Sequence, residues 1–464
     1  MVELKHKKKV GVSMYNTKYK IAFYTLGCKV NTYETEAMKG LFTEAGYEIV
    51  EFSDEADIYV VNTCSVTNMA DRKSRQILHR AKKSNPDGIV IAVGCYVQAA
   101  AEELKKDNSI DVVIGNNLKS TIVECVESYL NEQNAHKDKM EDVSVSREYD
   151  PLHIKDAGER TRAFIKIQDG CNQFCSYCII PFTRGRIRSR NIEDILTEVQ
   201  GLVEKGYKEI VLTGIHLSSY GADVAGKNFV SLKGEPLLEV IEKIHNIDEI
   251  KRIRLGSLEP RVITEEFTKK LAFYQKICPH FHLSLQSGCN TTLKRMNRHY
   301  TTEEYREGCY ILRKYFDTPA ITTDVIVGFP GETPEEFEKT QAFLEDIAFS
   351  QMHVFKFSPR KGTKAADMEE QIPEQIRTQR SNLLLALDET LQKQYERLFY
   401  EQKEKVLFEE IIEFEGNSYM IGHNERYIKI AVPYQDGMQG NLNEILDVYI
   451  VGGLREHLLL GKMG

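Results

Sequence analysis

No stretch of this 464-residue sequence is apolar for long enough to cross a membrane. The longest apolar runs, such as Ile89 to Val93, are only strand-sized. The N-terminus, MVELKHKKKV, is basic but lacks the apolar segment of a secretory signal. A cytoplasmic protein without membrane attachment is therefore expected. Positive charge is not in excess either: the formal net charge is −8, which excludes a uniformly basic nucleic-acid binder. Strict short repeats and low-complexity tracts are absent. What is present is an ordinary globular composition, 42% hydrophobic and 28% charged, long enough for two to four domains. The 10 cysteines stand out. In a chain without a secretory signal they read as metal ligands or catalytic groups rather than as a disulfide framework.

Charge is uneven along the chain. Residues 1–20 hold six Lys against one acid. Between 160 and 190, Arg160, Arg162, Lys166, Arg184, Arg186, Arg188 and Arg190 face the single acid Asp169. From Val406 onward there are nine acids against four Lys or Arg. A polyanion could be met locally, though the final segment alone would suit a basic protein partner better.

Three similar units open the chain. IAFYTLGC ends at Cys28, DIYVVNTC at Cys64 and IVIAVGC at Cys95. Each is a β-prone run, a small polar turn and a cysteine, and helical periodicity follows over Tyr33–Ala45 and Met69–Lys83. The spacing is that of βαβ units and predicts a parallel α/β domain over 18–135. Residues 136–160 are polar, without periodicity, and read as a linker. From 161 to about 370, six strand candidates (163–167, 209–216, 252–256, 280–286, 323–329 and 352–357) alternate with helices beginning near Ile192, Pro236, Thr264, Thr302 and Pro334. Either a doubly wound sheet or an open barrel fits, and both put chemistry at the C-terminal ends of the strands. A charged helix over 374–403 closes the second domain at about 400. Residues 401–464 hold four short strand candidates and predict a small β-barrel.

Cys171-Asn-Gln-Phe-Cys175-Ser-Tyr-Cys178 is the strongest chemical signal. Three thiolates at this spacing can hold three irons of a cubane and leave the fourth open to a small molecule. A zinc site normally uses two paired ligand sets, and no second CxxC or HxxxH lies nearby. Tyr177 could shield the cluster or simply pack in the core. Cys28, Cys64 and Cys95 would share one sheet edge and could ligate a second cluster; buried structural cysteines are the alternative, and the repeated position favours ligation. Cys125, Cys278, Cys289 and Cys309 share no spacing and read as structural. If Arg184, Arg186, Arg188 and Arg190 lie on an extended strand, alternate side chains share a face suited to phosphates, or to a solvated charged edge. Thr213, His216, Ser257, Glu259, Gln286, Ser287 and Asp324 sit at predicted strand ends, where they could cap turns or line a ligand cavity. Gly328 to Glu332 (GFPGE) adds a glycine turn where backbone could approach a ligand.

The CxxxCxxC run resembles the radical S-adenosylmethionine (AdoMet) superfamily. Over nearly the whole chain, Cys28, Cys64 and Cys95 together with GCNQFCSYCIIPFTRGRIRSR, LSLQSG and DVIVGFPGET resemble the methylthiotransferases, and the last domain resembles a TRAM domain. TLGCKVNTYETEAM, TGIHLSSYG and FSPRKGTKAA are most similar to the branch acting on N6-threonylcarbamoyladenosine next to the tRNA anticodon.

The resemblance implies an open (β/α)6 barrel as the central domain and two 4Fe-4S clusters. The cluster at Cys171, Cys175 and Cys178 would bind AdoMet and cleave it to a 5′-deoxyadenosyl radical. The cluster at Cys28, Cys64 and Cys95 would supply sulfur, and a second AdoMet would donate the methyl group. It implies tRNA as partner, a flavodoxin- or ferredoxin-like electron donor and a sulfur source. Tyr177, Thr213, Ser257, Glu259, Gln286 and Asp324 are the candidates for AdoMet and substrate contact, and Arg184 to Arg190 for RNA. The alternatives are the same chemistry on a ribosomal protein, or a non-enzymatic iron–sulfur RNA-binding protein.

Overall fold

The computed structural model describes residues 19–131, 138–155, 158, 161–435 and 437–464. The basic N-terminal extension and Arg160 lie outside these residues. Six strands, β1 (Lys20–Thr25), β2 (Glu48–Val50), β3 (Ile58–Thr63), β4 (Ile89–Gly94), β5 (Val112–Ile114) and β6 (Asp138–Lys139), form a parallel sheet in the order β2-β1-β3-β4-β5-β6. Helices α1 (Lys29–Glu44), α2 (Asn68–Ser84) and α3 (Cys95–Leu104) make the crossovers. Every residue of β3 is buried, and its two faces feed separate cores. Ile58 and Val60 pack with Ile21, Ile91 and Val93, while Tyr59 and Val61 pack with Ala22, Val90 and Ala92. Burial on both faces is why these strands read as continuous apolar runs rather than as alternation.

The stretch 136–160 is not the free linker that its polarity suggested. In its described part, Asp138–Lys139 adds a strand beside β5, and Val143, Leu152 and Ile154 are buried. The Tyr33 hydroxyl donates to the Leu152 carbonyl at 2.7 Å. A two-residue strand and isolated apolar anchors leave no periodic trace in sequence.

The central domain contains β7 (Arg162–Asp169), β8 (Arg188–Ser189), β9 (Glu209–Gly214), β10 (Arg252–Leu255), β11 (His280–His282), β12 (Ala320–Val327) and β13 (Gln351–Lys356). Strands β7, β9 and β10 are parallel neighbours, as are β11, β12 and β13. Parallel bridges Ile253↔Ile277 and Leu258↔Leu283 join the two groups. The six parallel strands thus follow one another in chain order. A doubly wound sheet would reverse its winding midway, so the order selects the barrel-like arc. No pairing between β13 and β7 closes it among the described residues. The strand expected over 280–286 is regular only to His282, because Gln286 adopts φ +75° and the ladder continues as single bridges. Ile165, Leu212, Ile253 and Phe281 face the outer helices and form the main core with α1 of the first domain.

The helix Glu374–Arg397 leads into β14 (Lys403–Phe414), β15 (Asn417–His423), β16 (Lys429–Pro433), β17 (Ile445–Arg455) and β18 (Leu458–Met463). They close a barrel in the order β14-β15-β16-β18-β17. Its fifth strand was not visible in the sequence, since the turn at Glu456-His457 carries no Gly, Pro or Asn. This barrel seats on the strand starts of the central arc. Arg162 bonds Glu409, Arg252 donates to the Lys405 carbonyl at 2.7 Å, and Arg254 to that of Glu425 at 2.9 Å. Part of its acidic excess therefore faces cations of the central domain: Glu409 meets Arg162, and Glu444 meets Lys208. Among the described residues no helix is long and apolar enough to cross a membrane.

Candidate functional site

Cys28 caps α1 just after β1, Cys64 follows β3 directly and Cys95 opens α3 at the end of β4. Since β1, β3 and β4 are adjacent and parallel, the three cysteines share one edge of the sheet. Glycine makes the convergence possible. Gly27 (φ +105°) runs so close to the second cysteine that a Cβ there would stand 3.1 Å from Cys64 Sγ, and one on Gly94 (φ +102°) would stand 2.5 Å from the Thr63 carbonyl. Side chains tie the strand ends together: Asn31 Nδ2 donates to the carbonyls of Leu26 (2.6 Å) and Thr63 (3.0 Å), and Thr63 Oγ1 to that of Val93 (2.6 Å). The thiols sense one another. Burial pushes Cys64 up to about 12, and Cys95 and Cys28 add to the rise. Solvent reaches Cys28, yet the protein crowded around it raises its thiol too, with Arg184 opposing and Cys95 reinforcing.

The second trio lies on one loop after β7. Gly170 (φ +72°) passes so near Arg186 that a Cβ would overlap its carbonyl at 1.8 Å, and Phe174 adopts φ +48°. The loop is pinned from outside: Ser176 N donates to the Met296 carbonyl (3.0 Å), Ser176 Oγ to that of Arg295 (2.9 Å), and Asn297 Nδ2 to that of Phe174 (2.9 Å). Burial pushes Cys171 up to about 12, with Cys175 adding to it; Cys178 is raised by burial and by both other cysteines. Tyr177 packs with Met296, Phe329 and Phe357 over the loop.

Both trios fit iron–sulfur clusters. Each offers three thiols; burial raises Cys28 and Cys64 in one trio and Cys171 and Cys178 in the other, and metal binding is what deprotonates a coordinating thiol. Among the described residues neither trio gathers its sulfurs within 4.8 Å of one another, as a single-ion site would. Each also has an arginine on a sulfur. Arg184 Nε lies 3.3 Å from Cys95 Sγ, and Arg298 Nη1 lies 3.2 Å from Cys175 Sγ. Asn116 Nδ2 (3.4 Å, Cys95) and the Gln173 amide (3.5 Å, Cys171) add further donors. Hydrogen bonds to ligand sulfurs are a lever on cluster potential. Arg298, Asn116 and Met296 were not singled out in the sequence, because they are distant in chain order and carry no motif spacing.

The expected arginine face does not exist. Only Arg188 and Ser189 are in a strand, and Gly185 (φ +73°) turns the chain inward under the Val143 carbonyl. Arg184, Arg188 and Arg190 are buried. Arg184 joins Glu34 (2.9 Å), Asp169 (3.1 Å) and Asn31 (2.6 Å), and Arg190 pairs with Glu198. Burial opposes ionisation of Glu34, but Arg184, Lys119 and Lys166 hold its carboxyl well below the usual range. Only Arg186 is half-exposed, over the Phe174 ring at 4.5 Å. Arg184 and Arg190 tie the second domain to Glu34, Asn31 and Tyr33 of the first, and the three buried arginines do not form a solvent-facing row.

The strand-end residues divide. Glu259 is buried, accepts from Arg261 Nε at 2.7 Å, and through Arg261 reaches Gln173 of the cysteine loop (3.1 Å). Thr213 is buried at the end of β9, Ser257 is exposed, and Gln286 holds β12 through its amide on the Asp324 carbonyl (2.8 Å). Ser287 is buried against Thr340. His216, bonded to Ser219 (2.6 Å), is held neutral by burial and by Arg298 and Arg261, with its pKa down to about 3. Asp324 lies inside β12, not at its end, and meets His282. The GFPGE turn packs on one side against the last helix of the central domain. A Cβ on Gly328 would stand 2.1 Å from Arg377 Cγ, and Glu332 pairs with Arg380, so the helix Glu374–Arg397 covers it.

Residues 20–115 match the family described as Uncharacterized protein family UPF0004, and residues 165–344 match the Radical SAM superfamily. The chain is 42% identical to the threonylcarbamoyladenosine tRNA methylthiotransferase MtaB of Bacillus subtilis, over 92% of this chain and 93% of that one. It is 41% identical to the protein of the same name from Aquifex aeolicus, over 85% and 93%. It is also 36% identical to the tRNA-2-methylthio-N(6)-dimethylallyladenosine synthase of Thermodesulfovibrio yellowstonii, over 94% and 96%. Among solved structures, the radical S-adenosylmethionine methyltransferase TsrM of Kitasatospora setae superposes with a TM-score of 0.53 over 75% of this chain and 77% of that one. At 14% identity this likeness concerns the fold alone.

Proposed function

We propose, from the premise that this chain belongs to the radical SAM tRNA methylthiotransferase family, that it adds a methylthio group to carbon 2 of N6-threonylcarbamoyladenosine beside the tRNA anticodon. Membership in that family carries a 4Fe-4S cluster and AdoMet with it. The observation that carries the finer reading is the convergence of Cys28, Cys64 and Cys95 at adjacent strand ends of a domain packed on the barrel, beside 42% identity to a relative bearing that substrate in its name.

Cys171, Cys175 and Cys178 would hold a cluster supplying the electron for reductive AdoMet cleavage, and Cys28, Cys64 and Cys95 would hold one supplying sulfur. The chain's own residues hold these groups and set their surroundings. Arg298 and the Gln173 amide stabilise the thiolates of the loop trio. Arg184 and Asn116 do so for Cys95, and Arg184 also fixes that site against the barrel through Asp169. Tyr177, Met296, Phe329 and Phe357 form an apolar packing that supports the loop from behind. Glu259, linked through Arg261 to Gln173 of the cysteine loop, is the acidic candidate for AdoMet contact. Two AdoMet are consumed per turnover, one as radical source and one as methyl donor. An electron donor of flavodoxin or ferredoxin type and a sulfur source are required, and a tRNA substrate sets the work in the cytoplasm.

Mass spectrometry of tRNA nucleosides from cells with and without the protein tests the reading. Loss of 2-methylthio-N6-threonylcarbamoyladenosine, with its precursor accumulating, is expected. Loss of the methylthio-dimethylallyl nucleoside instead would move the chain to the other tRNA branch. An unchanged profile would point to a ribosomal protein.

A further inference from the structure

On the wall of the central arc, three adjacent parallel strands bring His282, Asp324 and His353 together. Neither cysteine trio includes them. His282 Nε2 lies 3.2 Å from Asp324 Oδ2, the His282 and His353 rings stack at 5.9 Å, and all three prospective donor atoms fall within 4.8 Å of one another. We propose that His282, Asp324 and His353 form a binding site for one divalent first-row transition-metal ion, separate from any iron–sulfur cluster.

The donor set is two imidazoles and one carboxylate, which suits such ions and leaves further coordination positions open. It contains no thiolate, so it does not compete for the clusters. Its placement is rigid. Asp324 is in register with His353 across β12 and β13, and His282 with Thr322 across β11 and β12. Thr322 supplies the outer contact a metal-binding histidine needs: its Oγ1 lies 3.0 Å from His282 Nδ1. A proton held on Nδ1 by that hydroxyl leaves the Nε2 lone pair facing Asp324. The His353 imidazole makes no hydrogen bond among the described residues and the residue is exposed, so the site has both a free donor and a path for the ion. Donors at metal-bound distances would stand roughly 3–4 Å apart, so binding draws these side chains together by about an ångström. Lys29, next to Cys28, faces the trio from the first domain. An oxygen donor from solvent or substrate would complete the shell.

The test is a Mn(II) titration of the anaerobic holoenzyme with oxidised clusters, without AdoMet or RNA, reading free Mn(II) by electron paramagnetic resonance. It is independent of which nucleoside is modified. One equivalent bound per chain is expected, abolished by His353→Ala and weakened by roughly 10–100-fold by Thr322→Val, with cluster absorption unchanged in both. Absence of saturable binding to the wild type overturns the site and leaves the three residues as a hydrogen-bonded group. Binding that survives both substitutions, in proteins with intact cluster spectra, assigns the ion elsewhere and overturns it equally.

Discussion

Cys171, Cys175 and Cys178 come from one loop, whereas Cys28, Cys64 and Cys95 come from three strand ends. The loop trio is held by contacts that stay within the barrel, to Met296, Arg295 and Asn297. The distributed trio depends on glycines that let strand ends approach and on Arg184, which reaches it from the other domain. Each trio receives one arginine on one sulfur, but Arg184 is fully buried among Glu34, Asp169 and Asn31 while Arg298 is only partly so. The same ligand count is thus reached with very different exposure to damage: the loop site is a property of one domain, and the strand-end site is a property of the seam.

The comparison breaks most sharply at the cysteines. Cys175→Ala is expected to abolish 5′-deoxyadenosine formation, read by chromatography of the anaerobic reaction. Arg184→Gln comes next. It leaves Glu34 and Asp169 short of a buried cation, for a loss of about 3–5 kcal/mol in denaturant unfolding, and iron content should fall to about half as the strand-end site fails. Arg298→Gln removes a charge-assisted contact at a partly exposed site, about 1–2 kcal/mol, and total iron should stay. Equal effects of the two substitutions would erase the distinction between seam and loop.

A second seam, where the final barrel meets the strand starts, gives a pH control. Burial opposes the Glu209 charge, but Arg254, Arg162 and Arg252 lower its carboxyl to about 2 from 4.5. A depressed carboxylate stabilises the fold above its unfolded value, and the contribution is lost as pH falls from about 4.5 through about 2. Up to about 3 kcal/mol is at stake, and Glu209→Gln should flatten that part of the acid-unfolding curve. The smallest effect has the opposite sign. Burial raises Asp388 from 3.8 to about 6, partly countered by the Met352 amide, so its ionisation disfavours the fold increasingly as pH rises from about 3.8 and in full above about 6. Asp388→Asn is expected to stabilise the protein by about 1 kcal/mol at pH 7, after allowance for solvent, and to do little at pH 4.

Legibility in the sequence followed the same division. The loop trio is visible from spacing alone. The strand-end trio was visible only because β1, β3 and β4 each end in a cysteine, so that a parallel sheet had to align them. Arc and doubly wound sheet could not be told apart, because the choice lies in which strands pair and not in what any strand contains. The arginine run misled for a physical reason: alternation implies a shared face only in a continuous strand, and Gly185 ends that continuity. His353 could not have been joined to His282 and Asp324 without knowing that β11, β12 and β13 are neighbours.

The most direct test of the account is Cys64→Ala assayed with AdoMet, reductant and substrate tRNA, measuring 5′-deoxyadenosine and the methylthiolated nucleoside in one sample. The account predicts that AdoMet cleavage continues while methylthiolation stops. Full methylthiolation by this variant would contradict it, since the strand-end cysteines would then be structural and the division between the two sites would fall.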